Sequence, residues 1–450
     1  MKRPRALVAA AAACAVVALA VAGVSVWALS AGSGETLGGA SDVVESGASG
    51  AGQAITREAG ATGSVGIYSF GHTIDSAVPS PDAPLDASMR LPFSLSVPAQ
   101  AFRVHVRNWS FDDEREYDSP VTLTGMHVGT HALDPGTVTG QTGAFEGTAV
   151  GIVGTVNLAP GGFVSEWIEP SQVALDGSVD SLLAIGFTAP AGARLATSQG
   201  LSWTDVGEGA SALAGAAGVR GEPKYLSYFD VWIEYEFGGS EGDSVPAPVL
   251  VSVGHSLNAP GSFATDVLPT RGESTAWPQQ WALAHGGVAV SLAAPGAEAS
   301  AFAPSAAKWE AFADVSPDIV TVWTASNDIA RGHPLAEIRR DWSEVVAGVA
   351  ARWPEAAVYA LTEPPRGLTG AEERTRLAWN EWLLLVPAGV DGVLDADAVL
   401  RDPGAPSELR ADVDADGVHF SARGHSLVAE LVPAPVPAPV SGPSPTAASR

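Results

Sequence analysis

The sequence predicts two folded units of different class. An α/β domain on a doubly wound, five-stranded parallel sheet spans residues 248–432, and an all-β sandwich or jelly roll precedes it over residues 63–238. Three observations predict this. The chain of 450 residues is longer than one typical domain. Up to residue 238, short apolar alternations are broken by Gly, Pro and Asp, with no amphipathic stretch long enough for a substantial helix. Beyond residue 248, apolar strands alternate with helical periodicity, a pattern that needs a parallel sheet covered on both faces.

Composition then narrows the function. With 50 acidic and 24 basic residues the formal charge is −26, which argues against nucleic acid and against a peripheral role on anionic lipid. A hydrophobic share of 46% can fill cores, while 16% charged residues, 50 Gly and 33 Pro imply many turns and exclude a long-helix protein. Cys14 is the single cysteine and lies in the N-terminal apolar run, so disulfides, cysteine-ligated metals and cysteine nucleophiles drop out.

Along the chain, Met1-Lys2-Arg3-Pro4-Arg5 followed by an uncharged run to Leu29 reads as a signal peptide or signal anchor over residues 1–30. Either places the body outside the cytoplasm, secreted or at the cell surface. Residues 31–62 are a Gly/Ser/Ala/Thr linker. In the sandwich, Phe229, Val231, Ile233, Tyr235 and Phe237 share one face of a strand and Asp230, Glu234 and Glu236 the other; Phe102, Val104 and Val106 repeat the alternation. A second linker, 239–247, leads to strands over Pro248–Val253, Val288–Val290, Asp318–Trp323, Ala357–Leu361 and Val390–Leu394. Helical segments are expected over Ala276–Ala284, Ala306–Ala313, Leu335–Arg352, Gly370–Leu385 and Ser421–Leu431, and residues 433–450 form a disordered Pro-rich tail.

Ligands of open parallel sheets bind beyond the carboxyl ends of the strands, so residues there carry the chemistry. Gly254-His255-Ser256-Leu257 follows the first strand and Pro295-Gly296 the second; Ala325-Ser326-Asn327-Asp328 follows the third, and Asp416-Gly417-Val418-His419 comes after the fifth, ahead of the last helix. A serine hydroxyl becomes nucleophilic only when an imidazole takes its proton, and that imidazole needs a partner on its other nitrogen. His419 and Asp416 fit these roles toward Ser256, with Gly417 allowing the bend between them. The N–H groups of Ser256 and Gly296 and the side-chain amide of Asn327 fit as donors to a developing oxyanion. An ester or acetyl group suits such a site, and no metal or cofactor is called for.

These four blocks, in this order, resemble the SGNH/GDSL hydrolase family over residues 248–432. The resemblance implies a flavodoxin-like α/β fold with Ser256 as nucleophile and His419 and Asp416 completing a triad. It further implies an oxyanion hole of Ser256, Gly296 and Asn327. Two positions depart from the family pattern: His255 replaces the aspartate of Gly-Asp-Ser-Leu, and Ala325 replaces the usual glycine. The N-terminal region, ending in Val231-Trp232-Ile233-Glu234-Tyr235, is similar to the β-sandwich preceding such domains in exported actinobacterial esterases, which implies a carbohydrate-facing module. The function implied is a serine esterase cleaving acetyl or short acyl esters, with an acylated carbohydrate or a small ester as substrate and no membrane contact beyond an N-terminal anchor.

Competing readings attach to several residues. Gly254-His255-Ser256-Leu257-Asn258 nearly matches the nucleophile elbow of α/β-hydrolase lipases and esterases, but this serine follows the first strand of its domain. A catalytically silent glycan-binding surface protein is the rival from another class. Asp412, Asp414 and Asp416 imitate the start of a calcium loop, yet Arg423 holds the twelfth position, so an acidic turn is expected. His127 and His131 are expected at the surface, His425 as a structural histidine and His255 as a loop support. Trp281, Trp309, Trp342, Trp379 and Trp382 are expected in the core, Trp277 or Trp323 at the border of the cleft, and Glu363-Pro364-Pro365-Arg366 as a segment shaping it.

Overall fold

The computed structural model describes residues 64–134, 141–177, 179–198, 200–224, 226–238, 246–259 and 276–434. The expected segments 1–30 and 31–62, and most of the joint 239–247 and of the tail 433–450, lie outside the described residues. Among the described residues no helix is long and apolar enough to cross a membrane.

Alternating apolar residues build the N-terminal half as antiparallel sheets. Strands β1 (Ser64–Ser69), β2 (Leu85–Phe93), β3 (Ala101–Arg107), β4 (Val121–Leu133), β5 (Ser181–Ala189), β6 (Ser202–Val206) and β7 (Asp230–Phe237) are its main members. β7 lies between β1 and β3 in one sheet, while β4, β5, β2 and β6 are successive neighbours in the other. Met89, Leu91, Val104, Leu123, Ile185, Phe187 and Ile233 are fully buried in the core.

One expectation, that His131 lies at the surface, is corrected here, and the charged face of β7 is covered as well. Asp230 is buried, accepting from Arg107 Nε at 2.6 Å with His72 at 3.5 Å, and Glu234 takes Arg103 at 2.7 Å and His105 at 2.7 Å. Arg107 also stacks 3.8 Å over Trp109, so ion pairs and aromatic rings together close this face. His131 is likewise no surface histidine: it is buried, accepts from Gly143 N–H at 3.0 Å, and burial pushes its pKa down to about 4. The cause is what covers that end of β4: the strand Gln141–Phe145 pairs with it, setting Phe145 opposite His131, and the Trp203 ring lies edge-on at 5.4 Å.

Downstream, β8 (Val249–Gly254), β9 (Val288–Ala293), β10 (Ile319–Trp323), β11 (Ala357–Leu361) and β12 (Gly392–Leu394) form a parallel sheet in the spatial order β9-β8-β10-β11-β12. That is the doubly wound order 2-1-3-4-5. Its helices include α1 (Trp277–His285), α2 (Ser326–Ala330), α3 (Leu335–Arg352), α4 (Gly370–Leu383) and α5 (Ala422–Leu431). Both faces are buried, as the apolar runs require. Val249, Val251, Val290 and Val320 pack with Ile338 and Trp342 of α3 and Trp379 of α4. Leu250, Ala289 and Ile319 pack on the other side with Trp277 and Trp281 of α1 and Val428 of α5. Trp277 and Trp323 are wholly buried, so neither borders a cleft. The segment expected near 306–313 is a 3-10 helix, Ala307–Phe312.

The halves meet along β9, an edge of the parallel sheet, against which β1 packs. His72 Nε2 donates to the Ser291 carbonyl at 3.0 Å, and Ser96 Oγ donates to the Gly287 carbonyl at 2.7 Å. One hydrophobic cluster runs from Ile233 of the sandwich to Val290 and Val322 of the sheet.

Candidate active site

The register sets three strand ends level, since Gly254 pairs with both Ala293 and Trp323. The chain beyond Gly254 closes into a tight turn in which the His255 carbonyl accepts from the N–H groups of Asn258 (2.9 Å) and Ala259 (3.0 Å). Asn258 is fully buried and pins this turn by donating to Ser252 Oγ at 2.8 Å. Adjacent side chains diverge from it. His255 turns inward, where Nδ1 accepts from Leu257 N–H at 3.3 Å and Nε2 faces Glu363 Oε2 at 3.7 Å. Ser256 turns the other way, and its Oγ lies 2.9 Å from His419 Nε2.

The loop before α5 delivers that imidazole. Gly417 at φ +88° occupies the left-handed region, which folds Asp416 back over the next residues. Asp416 Oδ1 accepts from the N–H groups of Val418 (2.9 Å) and His419 (2.8 Å), and Oδ2 lies 2.8 Å from His419 Nδ1. A carboxylate there holds the proton on Nδ1, so Nε2 is free to accept from the serine hydroxyl. Burial raises the Asp416 carboxyl, but the hydrogen bonds from the His419 ring and backbone outweigh it and hold the pKa at about 2. Phe420, fully buried and stacked 5.9 Å from Trp323, ties this loop to the end of β10. The three acids of the apparent calcium loop diverge: Asp412 pairs with Arg410, Asp414 accepts from Gly417 N–H and Asp416 faces His419.

The other expected donors stand on the neighbouring strand ends. Among the described residues, the N–H groups of Ser256 and Gly296 donate to no protein acceptor. Ala294 N–H donates to the Gly254 carbonyl at 3.2 Å, tying the Gly296 loop to the serine turn. Asn327, in the first turn of α2, donates from Nδ2 to the Ala297 carbonyl at 2.8 Å, so it lies against the Gly296 loop with one amide hydrogen to spare. The structure therefore joins Ser256, His419 and Asp416 by direct hydrogen bonds, and sets Gly296 and Asn327 together on the adjoining loops.

Four residues that the sequence named without a chemical partner find one here. Asn258 pins the serine turn, Glu363 accepts from Ala325 N–H at 3.0 Å, and Arg366 donates to Asn327 Oδ1 at 3.1 Å. The fourth, Asp328, is buried, and burial pushes its carboxyl up to about 7, with the charge of Glu298 adding to the shift and the Ala299 N–H opposing it. A raised folded-state pKa means stability that is full below the unfolded value and is lost as pH rises through about 7. Asp328→Asn is thus expected to melt higher than the parent at pH 8, by up to about 4 kcal/mol in stability, and to lose that advantage near pH 4. Thermal melts across that range check this; a pH-independent difference contradicts it.

Comparison with known proteins follows the same outline. The profile of the GDSL-like lipase/acylhydrolase family matches residues 252–427, from within β8 to within α5. No curated protein sequence matches the chain. Among solved structures, the chain is similar to a lipolytic protein of the G-D-S-L family from Desulfitobacterium hafniense DCB-2 (18% identity, 41% of this chain and 96% of that one, TM-score 0.32). It is also similar to a family two carbohydrate esterase from Clostridium thermocellum in complex with cellohexaose (11% identity, 81% and 96%, TM-score 0.34). A third is a carbohydrate acetylesterase from Sinorhizobium meliloti (17% identity, 40% and 94%, TM-score 0.31). The family match takes in every one of the strand-end loops described above, and with it the C-terminal domain belongs to the SGNH/GDSL hydrolases and the protein is a serine hydrolase.

Proposed function

We propose that the protein is an extracytoplasmic esterase that removes acetyl or short acyl groups, with an acylated carbohydrate as its substrate, through an acyl-enzyme on Ser256. The observation that carries this is the unbroken chain from Ser256 Oγ to His419 Nε2 (2.9 Å) and from His419 Nδ1 to Asp416 Oδ2 (2.8 Å). Ser256 Oγ attacks the acyl carbon while His419 Nε2 takes its proton, and Asp416 stabilises the imidazolium. The negative charge on the acyl oxygen is met by the N–H groups of Ser256 and Gly296 and the free amide hydrogen of Asn327. His419 then protonates the departing alcohol, and a water molecule, deprotonated by the same ring, releases the acid and restores the serine. The extracytoplasmic setting rests on the basic and apolar start of the chain, and the carbohydrate on the sandwich that the resemblance likens to glycan-facing modules.

A fluorophosphonate is expected to label the full chain at Ser256, located by peptide mass, and a panel of acetylated sugars and aryl esters is expected to release acid. An unlabelled protein that retains polysaccharide through residues 63–238 would instead support a silent glycan binder.

A further inference from the structure

The segment that follows β11 serves the site without touching the triad. Arg366 Nη1 donates to the Ser326 carbonyl (3.2 Å), to Ser326 Oγ (2.9 Å) and to Asn327 Oδ1 (3.1 Å). Asn327 is held from both ends, because its Nδ2 donates to the Ala297 carbonyl at 2.8 Å. Turning the amide over would set its NH₂ against a guanidinium and its oxygen against a carbonyl, losing two hydrogen bonds and opposing like partial charges. Only one orientation survives, and in it the single uncommitted hydrogen sits on Nδ2.

The base of Arg366 is itself fixed. Three residues upstream, Glu363 is buried; its Oε1 accepts from Ala325 N–H at 3.0 Å, and its own N–H donates to Asn380 Oδ1 at 2.8 Å. Its carbonyl accepts from Asn380 Nδ2 (2.8 Å) and Arg376 Nη1 (2.9 Å). Pro364 and Pro365 then limit the backbone between this anchor and Arg366. The anchor meets the two places where the chain departs from the family pattern: the Ala325 N–H and, at 3.7 Å, the His255 ring.

We propose that Arg366 is a positioning residue of the oxyanion hole: its guanidinium fixes the Asn327 amide so that the free N–H meets the developing negative charge. This rests on Asn327 being the oxyanion donor. A cationic donor on Oδ1 also polarises the amide and strengthens the opposite N–H as a donor. Arg366 lies at the domain's own strand ends, so the device needs no other chain or ligand.

The test is a mutant cycle in the full chain. Arg366→Met is expected to lower kcat about 10- to 100-fold with KM changed less than threefold, because the donor acts in the transition state. Arg366→Met combined with Asn327→Ala is expected to be no slower than Asn327→Ala alone, since both remove the same interaction. Added guanidinium is expected to restore part of the rate to Arg366→Ala and none to the double variant. If Arg366→Met does not fold, Arg366→Lys, which keeps the charge but not the fork, carries the same cycle with a smaller loss. Either kcat within twofold of the parent or losses that multiply in the double variant overturn the proposal. Labelling of the parent at Ser256 is read separately, so failure here is distinguishable from failure of the esterase reading.

Discussion

Ser256→Ala is expected to lower turnover of a chromogenic acetyl ester about 10⁵- to 10⁶-fold, below the limit of an ordinary assay. In the proposed mechanism the substitution removes the atom that forms the acyl-enzyme and leaves in place the backbone and amide donors around it. What persists is the modest rate at which ordered donors help water attack directly. Ser256 Oγ bonds only His419 among the described residues, and the turn that carries it is held by His255 and Asn258 backbone contacts and by Asn258 Nδ2. The variant should therefore melt within a few degrees of the parent, so that lost activity is lost chemistry. An active, folded Ser256→Ala protein would remove the serine from the mechanism.

Asp416→Asn is expected to reduce kcat about 10³- to 10⁴-fold while preserving the fold of the loop. Asparagine can still accept the Val418 and His419 N–H groups through its oxygen, as Asp416 Oδ1 does. Its NH₂, however, faces His419 Nδ1, 2.8 Å from Oδ2 in the parent, and forces that nitrogen to accept. The ring proton then moves to Nε2, where it blocks uptake of the serine proton. With its pKa at about 2, Asp416 stays ionised through the whole working range. Its depressed value favours the folded loop above the ordinary carboxylate pKa, and that contribution fades only as pH falls toward 2. The parent's pH–rate profile should show no step from this carboxyl above about pH 3. A full-speed Asn variant would demote Asp416 to a loop residue.

How much of this was legible in the sequence follows from how far each contact reaches along the chain. The serine turn, the Gly296 loop, Asn327 and the Asp416–His419 bend are local motifs behind apolar runs, so spacing and chemistry point to them without coordinates. Sheet order is not local: the placement of β8 between β9 and β10 depends on crossover handedness, and only the resemblance anticipated it. Glu363 and Arg366 were noted as a segment at the cleft, but their partners lie about forty residues upstream, and nothing in Glu-Pro-Pro-Arg announces them. In the sandwich the period-2 pattern located the strands but not the segment Gln141–Phe145 that covers the end of β4, which is why His131 was assigned to the wrong environment. For the polar side of β7 the sequence was silent in another way: alternation tells which residues share a face, not what covers it.

The seam along β9 has a consequence for solubility. A parallel sheet ends in a strand whose outer N–H and C=O groups can recruit a strand from another molecule, and natural proteins guard such rims. At the β12 end the rim is only the short strand Gly392–Leu394. At the β9 end the guard is the sandwich, whose first strand and His72 and Ser96 lie against it. Cutting the hydrolase free of the N-terminal half would bare a six-residue apolar template, Val288–Ala293. The sandwich thereby serves as a built-in shield against self-association.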